Sequence, residues 1–416
     1  MAVFSDTTTI YKLMYLHRRL KNITLRQLSV MTGLSHGYLN RYEQGLVTPS
    51  HETVKRLVDA LGLSPKRDEA LDSMFLEVFE KLDQALFYDQ REESVRLYKK
   101  LRDHHEYFIN SQYFDQYYLI VLSAIQATRL DMNQLESVYK PASIIASKFS
   151  GYLKERMMFE KALNIVIKGN LQLAYEYGLA IVEKITDEHL RARVHYLIGY
   201  TIANDYKHYH EALRHFEEAK KGFEANMNYR RSNRSKSMEQ ILYVYLHRFE
   251  EYEQSVDETD QYCIANNDYS IYYFTSVNKA RNFIIKEAYQ HALDILETFT
   301  SDVFEYHFYK LYSYFRLNRN MEALREIHHL RQRPEVLVTE FESDVVNLIE
   351  HAITHAQDEV YMEWLRRLET TAHQKRDFVM IQIITRLYTE VLHARRKYKE
   401  AHYSLDRFLK VLYKIH

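Results

Sequence analysis

The chain has 416 residues, more than one hydrophobic core normally holds, so we expect two or more folding units. Hydrophobic residues make up 46% of it, and Gly occurs nine times and Pro four times, a composition that predicts an all-α protein and excludes a β-rich or disordered one. The net charge of −1 divides into +5 over residues 1–66 and −6 over the remainder, so a surface for nucleic acid is expected only in the first segment.

Residues 24–45 predict two short helices joined by a tight turn. Leu25, Leu28 and Met31 follow one another at three-residue intervals, which places them on one face of the first helix. Gly33 allows a left-handed turn, and Ser35 is a good N-cap for a second helix over about 36–44. The other faces of that second helix are polar and carry amide and guanidinium groups, as the DNA major groove requires.

This segment resembles the Cro/C1-type (XRE) helix-turn-helix family. The matching residues are Leu25, Leu28, Ser29, Gly33, Leu34, Ser35, Glu43 and Gly45, followed by Thr48-Pro49-Ser50 and a fourth helix that ends at Gly62. The resemblance implies that residues 1–66 form a DNA-binding domain that acts as a homodimer on an inverted-repeat operator. The candidate DNA-binding residues are Arg26, Ser35, His36, Gly37, Tyr38, Asn40, Arg41 and Lys55.

Some of these candidates are expected to contact the phosphate backbone. Many relatives place a Gln at the start of the first helix of the motif to contact phosphate, and this chain has Leu25 or Arg26 nearby. Phosphate contacts are therefore assigned to Arg26, Arg41 or Lys55. The alternative is a helical hairpin with no role in DNA binding.

Beyond the first domain, Ser64-Pro65-Lys66-Arg67 is the best linker signal in the chain. An amphipathic linker helix over 67–90 follows, with one apolar stripe made of Leu71, Met74, Phe75, Val78, Phe79, Leu82 and Leu86. The remainder, 91–416, predicts helix after helix, with breaks near Asn110, Pro141, 168–170, 204–208 and 266–268.

A weak internal repeat runs through this helical region. Tyr209-His-Glu-Ala212, Tyr289-Gln-His-Ala292 and Tyr398-Lys-Glu-Ala401 open three helices, and looser copies begin at Leu171 and Asn320. Their spacing brackets the tetratricopeptide length of ~34 residues. The best copy joins Leu197-Ile-Gly-Tyr200 to Ala212, Phe216 and Ala219. The sequence therefore predicts a tetratricopeptide-like α-solenoid that serves peptide binding and dimerisation.

A solenoid of this kind has a concave face, which the first helix of each pair lines. Asn side chains offer both donors and acceptors to a peptide backbone, so Asn residues on first helices are candidates. The predicted peptide-binding residues are Tyr200, Asn204, Asn278, Arg281 and Asn282. The alternative is that these Asn residues cap helices or end turns.

A helix-turn-helix domain followed by such repeats resembles the RRNPP family of intracellular receptors for short secreted peptides, with a length closest to NprR-like or AimR-like members. The resemblance implies a DNA-binding transcriptional regulator under the control of a short signalling peptide. The acidic body favours a peptide with at least one Lys or Arg. Two alternatives stay open: a Rap-like regulator that binds a response-regulator protein through about 68–180, and a repressor whose repeats only oligomerise.

Nothing in the sequence favours an enzyme. It contains neither a Gly-rich phosphate loop nor an H-E-x-x-H motif, and we expect no cofactor. His351 and His355 lie on one helix face. We interpret that face as exposed to solvent, which is a simpler interpretation than a metal site. The single Cys263, the lack of a signal-peptide pattern and the short apolar run Tyr117–Ile125 predict a cytoplasmic protein with no membrane span.

Overall fold

The computed structural model describes residues 7–333, 335–337, 339–355 and 358–415. Over these residues it has helices and no strand, which confirms the predicted all-α fold of a helix-turn-helix domain followed by a helical-repeat solenoid. The α-helices, in chain order, are α1 Thr7–Leu20, α2 Leu25–Thr32, α3 His36–Glu43, α4 His51–Leu61, α5 Glu69–Phe87, α6 Arg91–Arg102, α7 His105–Phe108, α8 Phe114–Thr128, α9 Leu135–Ile145, α10 Gly151–Ile167, α11 Leu171–Val182, α12 Glu188–Ile202, α13 Tyr209–Ala225, α14 Tyr229–Tyr245, α15 Phe249–Asn266, α16 Tyr269–Ile285, α17 Tyr289–Leu296, α18 Phe304–Arg316, α19 Asn320–Arg331, α20 Glu340–Thr354, α21 Glu359–Lys375, α22 Phe378–Ala394 and α23 Tyr398–Ile415.

The chain divides into two compact units. The first comprises the residues up to Val194 together with Asn226–Arg231, and the second comprises His195–Ala225 and the chain from Ser232 onward. The predicted boundary after residue 66 lies inside the first unit and remains a prediction. None of the described helices is both long enough and apolar enough to cross a membrane.

In the first unit, one apolar core runs from the N-terminal helices into the first repeats. A continuous cluster of buried side chains extends from Ile10 on α1 to Met157 on α10. The predicted linker adds backbone anchors: the amide of Lys66 donates to the carbonyl of Asn110 (3.1 Å), and the amide of Asp68 donates to the hydroxyl of Tyr107 (2.7 Å). The linker is therefore packed onto the repeat helices.

In the second unit, first and second helices of successive pairs alternate along the chain, as the repeat pattern predicts. The motifs that begin at Tyr209, Tyr289 and Tyr398 each open the second helix of a pair, namely α13, α17 and α23. A Cβ added at Gly199 on α12 would lie 3.0 Å from the ring of Phe216 on α13. Glycine at this position therefore lets the two helices approach closely.

One predicted break is wrong. Pro141 lies inside α9, although its ring removes one helical hydrogen bond. Val138, Ala142 and Ile145 of the same helix are all buried, so packing of this face holds the helix across the proline. Burial of this face here outweighs the tendency of proline to interrupt a helix.

Candidate functional site

The helix-turn-helix is built from local capping interactions. Thr24 and Gln27 form a capping box at the start of α2, and Gly33 ends the helix in the left-handed conformation with φ 70°. The hydroxyl of Ser35 accepts a hydrogen bond from the amide of Tyr38 (3.2 Å) and thereby caps α3, the predicted recognition helix. Each residue is of the type that its position requires.

The buried side of the motif differs from the prediction at one residue. Leu28 on α2 and Leu39 and Tyr42 on α3 are buried. Met31 is 51% exposed, however, and Thr32 is buried in its place, with its hydroxyl donating to the carbonyl of Leu28 (2.7 Å). The prediction that Met31 shares one face with Leu28 is therefore wrong, because the buried stripe of α2 advances by four residues after Leu28.

A buried ion pair holds the C-terminal end of α3. Arg18 on α1 donates from Nε and Nη2 to the two carboxylate oxygens of Glu43, at 2.5 and 2.8 Å, and from Nη1 to the carbonyl of Ile23 (2.6 Å). Both side chains of the pair are less than one-tenth exposed. Such a two-pronged pair constrains the direction of α3 relative to α1.

The same end of α3 is joined to the repeat helices of the first unit. Lys148, just after α9, donates from Nζ to the backbone carbonyl of Glu43 (2.6 Å) and lies 4.8 Å from the centre of the Tyr15 ring. Lys12 on α1 forms an ion pair with Asp115 on α8 (3.1 Å). Sequence reasoning missed these partners because they are more than a hundred residues apart along the chain.

The predicted DNA-binding residues occupy the outer surface of this domain. Most are exposed: Arg26 at the start of α2; Ser35, His36, Gly37, Asn40 and Arg41 at the cap and on the outer faces of α3; and Lys55 on α4. Tyr38 is half-buried and stacks on Tyr42, with ring centroids 6.5 Å apart. Gln27, which the sequence analysis did not single out, is also exposed beside Arg26. The arrangement presents an amide, a guanidinium and flanking cations to solvent.

In the second unit, two of the predicted peptide-binding residues meet in a polar cluster between first helices. Asn278 on α16 donates from Nδ2 to the carbonyl of Ser237 on α14 (2.9 Å), and its Oδ1 accepts from Nη1 of Arg281 (3.1 Å). Nε of Arg281 donates to the hydroxyl of Tyr309 on α18 (2.8 Å). Burial raises the pKa of Tyr309 to about 12, so its hydroxyl stays neutral.

The other predicted peptide-binding residues lie in different environments. Asn282, one turn after Asn278, is 5% exposed, whereas Tyr200 on α12 is 47% exposed and Asn204 is exposed in the turn after α12. Neither Tyr200 nor Asn204 shares a hydrogen bond with the cluster of Asn278 and Arg281 among the described residues. Ser237 and Tyr309, which complete that cluster, were not predicted, because pairing between helices is invisible to a single-helix pattern.

Buried polar atoms without a hydrogen-bond partner concentrate on the first helices of the second unit. Among the described residues they include Ser235 Oγ and Gln240 Oε1 on α14, Asn282 Oδ1 on α16, Ser313 Oγ on α18, and Gln382 Oε1 and Thr385 Oγ1 on α22. A buried acceptor without a donor costs about 1–3 kcal/mol. The first helices of the second unit therefore carry buried hydrogen-bonding atoms that have no partner within the described part of the protein.

The histidine pair and the single cysteine that the sequence offered show little sign of a metal site or a reactive thiol. The rings of His351 and His355 stack 4.6 Å apart, and among the described residues no group of three or more His, Cys, Asp or Glu side chains is arranged to hold a metal ion. Cys263 is buried, and that burial raises the pKa of its thiol to about 12, which opposes formation of a reactive thiolate.

Comparison with known proteins supports both parts of the fold. Residues 15–67 match the helix-turn-helix family model HTH_3. Among solved structures, the chain is similar to a Rap protein complexed with competence and sporulation factor, with TM-score 0.65, 11% identity, and coverage of 83% of this chain and 99% of that one. It is also similar to the apo form of the quorum sensor NprR from B. thuringiensis, with TM-score 0.56, 15% identity, and coverage of 82% and 99%.

A third structure, NprR in complex with its cognate peptide NprX, aligns with TM-score 0.50, 16% identity, and coverage of 79% of this chain and 100% of that one. No curated protein matches the sequence. At these identities the solved structures show a shared fold. The predicted helix-turn-helix domain and the helical-repeat fold that the sequence resemblance implied are thereby confirmed.

Proposed function

We propose that this protein is a transcriptional regulator whose affinity for DNA is controlled by a short peptide bound among the first helices of its repeats. The observation that carries the proposal is the set of buried, unpartnered polar atoms on those helices, in a chain that also presents a helix-turn-helix. NprR, which shares the fold, has been solved with its cognate peptide NprX.

The DNA part of the proposal assigns roles by position. Asn40 and Arg41, exposed on the recognition helix, contact base edges in the major groove, because an amide and a guanidinium can each make two hydrogen bonds to one base. Arg26 and Lys55 contact phosphates on either side. The protein acts as a homodimer, so the operator is an inverted repeat whose half-site spacing matches the distance between the two domains.

The peptide part follows from the burial of the predicted residues. Asn278 is 2% exposed and Asn282 is 5% exposed, so a ligand reaches them only after the first helices of the second unit move apart. A peptide backbone would then supply donors to acceptors such as Oδ1 of Asn282. Because the ligand binds only the opened arrangement, it shifts the population of two states, which a ligand must do to change DNA affinity.

The DNA assignment is tested by footprinting on the promoter region of the protein's own locus. Asn40→Ala and Arg41→Ala should each cost ~1–3 kcal/mol of specific binding if each makes a bidentate base contact. Lys99→Ala, which removes an exposed cation from α6, is the matched control and should bind as wild type. An unchanged footprint for the Asn40→Ala, Arg41→Ala double variant would remove both residues from the interface.

The peptide assignment is tested by titration calorimetry with synthetic peptides of roughly five to ten residues, encoded by small open reading frames beside the gene. The double variant Asn278→Ala, Asn282→Ala should bind the active peptide ~10-fold or more weakly, since it loses hydrogen bonds worth ~0.5–1.5 kcal/mol each. Its DNA binding without peptide should be unchanged. Asn266→Ala, at the exposed end of α15, is the control and should bind peptide normally.

Two outcomes would contradict this assignment. Wild-type peptide affinity in the double variant would place the peptide elsewhere on the protein. If none of the neighbouring peptides binds, a repressor whose repeats only oligomerise becomes the better account.

A further inference from the structure

Helix α22 contacts repeats of the second unit that are not its neighbours along the chain. In a solenoid each repeat normally contacts only the repeats next to it. Arg376, just before α22, forms an ion pair with Asp205, which lies 171 residues earlier and directly follows Asn204 in the turn after α12. Further along α22, Nε2 of Gln382 donates to the carbonyl of Ile285 on α16 (3.3 Å), 97 residues earlier. α22 therefore lies across the first helices of earlier repeats.

Two further ion pairs fasten the C-terminal half of α22. Arg386 pairs with Glu287 in the turn after α16, and Glu390 accepts from Nη1 and Nη2 of Arg316 on α18, at 2.7 and 3.0 Å. The four side chains are between 18% and 48% exposed, so water weakens both pairs. α22 packs much more closely on α21 and α23 than on α16 or α18. These three C-terminal helices therefore form one block that the ion pairs tie to the earlier repeats.

The N-terminal end of α22 lies against the predicted peptide-binding residues. The ring of Phe378 meets the ring of Tyr245 on α14 edge to face, with centroids 5.3 Å apart. Asp377 caps α22 by accepting from the amide of Met380 (3.1 Å). Burial raises the pKa of Asp377, and the amide of Met380 and the charge of Arg281 oppose that rise, so Asp377 and Arg281 lie within electrostatic range of each other. α22 thus reaches the cluster of Asn278 and Arg281.

The contact between α22 and the earlier repeats is incompletely packed. A small cavity remains there, and its lining includes Ile284 on α16, Tyr312 on α18 and Val379 on α22. Gln382 also lines it, and among the described residues its Oε1 is buried without a hydrogen-bond partner. A void and an unsatisfied acceptor both reduce the stability of a packed face. This face of α22 should therefore separate more readily than its contacts with α21 and α23.

We propose that α22 is a lid on the peptide-binding face: without ligand it covers the first helices beside Asn278 and Arg281, and a peptide binds there only after α22 moves off α16 and α18. The inference rests on the proposed function, since it names the helix whose movement admits the peptide. Peptide affinity then depends on the fraction of molecules with the lid open. A change that raises this fraction lowers the apparent Kd by the same factor while the open state is rare.

Thiol labelling of the full chain measures opening of the lid without peptide or DNA. Val379→Cys in a Cys263→Ser background places a thiol on the face of α22 that lines the cavity, at a position only 3% exposed. Arg386→Glu replaces attraction to Glu287 by repulsion, so the Val379→Cys thiol should react about fivefold faster. The native Cys263, 2% exposed on α15, is the internal control, and Arg386→Glu should leave its rate unchanged.

Two further variants show whether the charge contact itself matters. Arg386→Glu combined with Glu287→Arg restores opposite charges across the contact and should return the labelling rate toward that of the parent protein. Lys410→Glu is the matched charge reversal on α23, where Lys410 pairs only locally with Asp406 and is 67% exposed. It should label at the parent rate.

The second readout is calorimetry with the synthetic peptides from the neighbouring small open reading frames. The active peptide should bind Arg386→Glu more tightly, by the factor by which labelling accelerates. Glu287→Cys and Arg386→Cys, joined in a Cys263→Ser background by a bis-methanethiosulfonate linker, should bind no peptide until a reductant releases the linker. Asp406→Cys and Lys410→Cys, joined in the same way within α23, are the control and should bind peptide throughout.

The proposal is overturned if Arg386→Glu leaves the labelling of Val379→Cys unchanged, if it accelerates Cys263 equally, or if the linked protein still binds peptide. Failure of the proposed function looks different. In that case the labelling results hold, yet no peptide from the neighbouring locus binds or changes DNA binding.

Discussion

The buried pair between Arg18 and Glu43 predicts a large local effect of a single substitution. Glu43→Gln preserves the shape of the side chain but leaves the Arg18 guanidinium buried without its carboxylate, with the hydrogen bond to the Ile23 carbonyl and one bond to the new amide oxygen. Removing one partner of such a pair typically costs 3–5 kcal/mol, and we expect about 3 kcal/mol because the amide oxygen still accepts one bond.

Hydrogen exchange read by mass spectrometry measures this effect where it occurs. A loss of about 3 kcal/mol corresponds to roughly a hundredfold faster exchange for the α1 and α3 amides that exchange through opening of this pair. Glu52→Gln is the control, since Glu52 forms an ion pair with Arg56 on α4 in which both side chains are more than half exposed. Such an exposed pair is worth about 0.3–0.5 kcal/mol.

The double variant Arg18→Met, Glu43→Leu sharpens the test. Replacing both charges by apolar groups of similar size removes the unpaired charge, so it should exchange more slowly than Glu43→Gln. The reasoning is refuted if Glu43→Gln exchanges no faster than Glu52→Gln, or if the double variant is as destabilised as the single one.

Gly199→Ala should destabilise the second unit by about 1–3 kcal/mol in urea unfolding, because its Cβ would lie 3.0 Å from the Phe216 ring; an unchanged midpoint would mean that the ring moves aside freely. Burial, followed by the neighbouring His195, lowers the pKa of His215 to about 4, so the folded protein binds this proton less readily than the unfolded chain does. The free energy of unfolding should therefore fall as the pH drops from about 6.5 toward 4, and His215→Gln should reduce that slope in urea titrations across this range. Gly33→Ala should cost about 1 kcal/mol through its left-handed φ of 70° alone, since nothing lies within 4 Å of the added methyl, and thermal unfolding of Gly33→Asn should show a smaller loss.

Local signals in the sequence predicted much of this fold. The conformational preferences of Ser and Gly affect only the few residues around them. In the structure, Ser35 caps α3 and Gly33 forms the left-handed turn that ends α2, as predicted. The helices that open at Tyr209, Tyr289 and Tyr398 were found because each begins with the same short motif, a Tyr followed three residues later by Ala. Predictions of this kind depend only on neighbours along the chain.

Features that depend on distant partners were not predictable. Which face of α2 is buried depends on the helices packed against it, and Thr32 took the place expected for Met31. The sequence pattern placed Asn278 and Arg281 near each other, but it did not reveal that Ser237 and Tyr309 would occupy their hydrogen bonds.

The apolar cluster that runs without interruption from Ile10 to Met157 also bears on how such proteins can be recombined. A chimera that joins residues 1–66 to the repeats of a relative would cut through this cluster and leave the face of α1 that packs on α9 against unfamiliar side chains. A graft that keeps the first unit whole, through Val194 and with Asn226–Arg231, preserves its packing. Under the proposed function, transfer of DNA specificity between relatives is therefore better attempted by exchanging the exposed face of α3 than by exchanging domains.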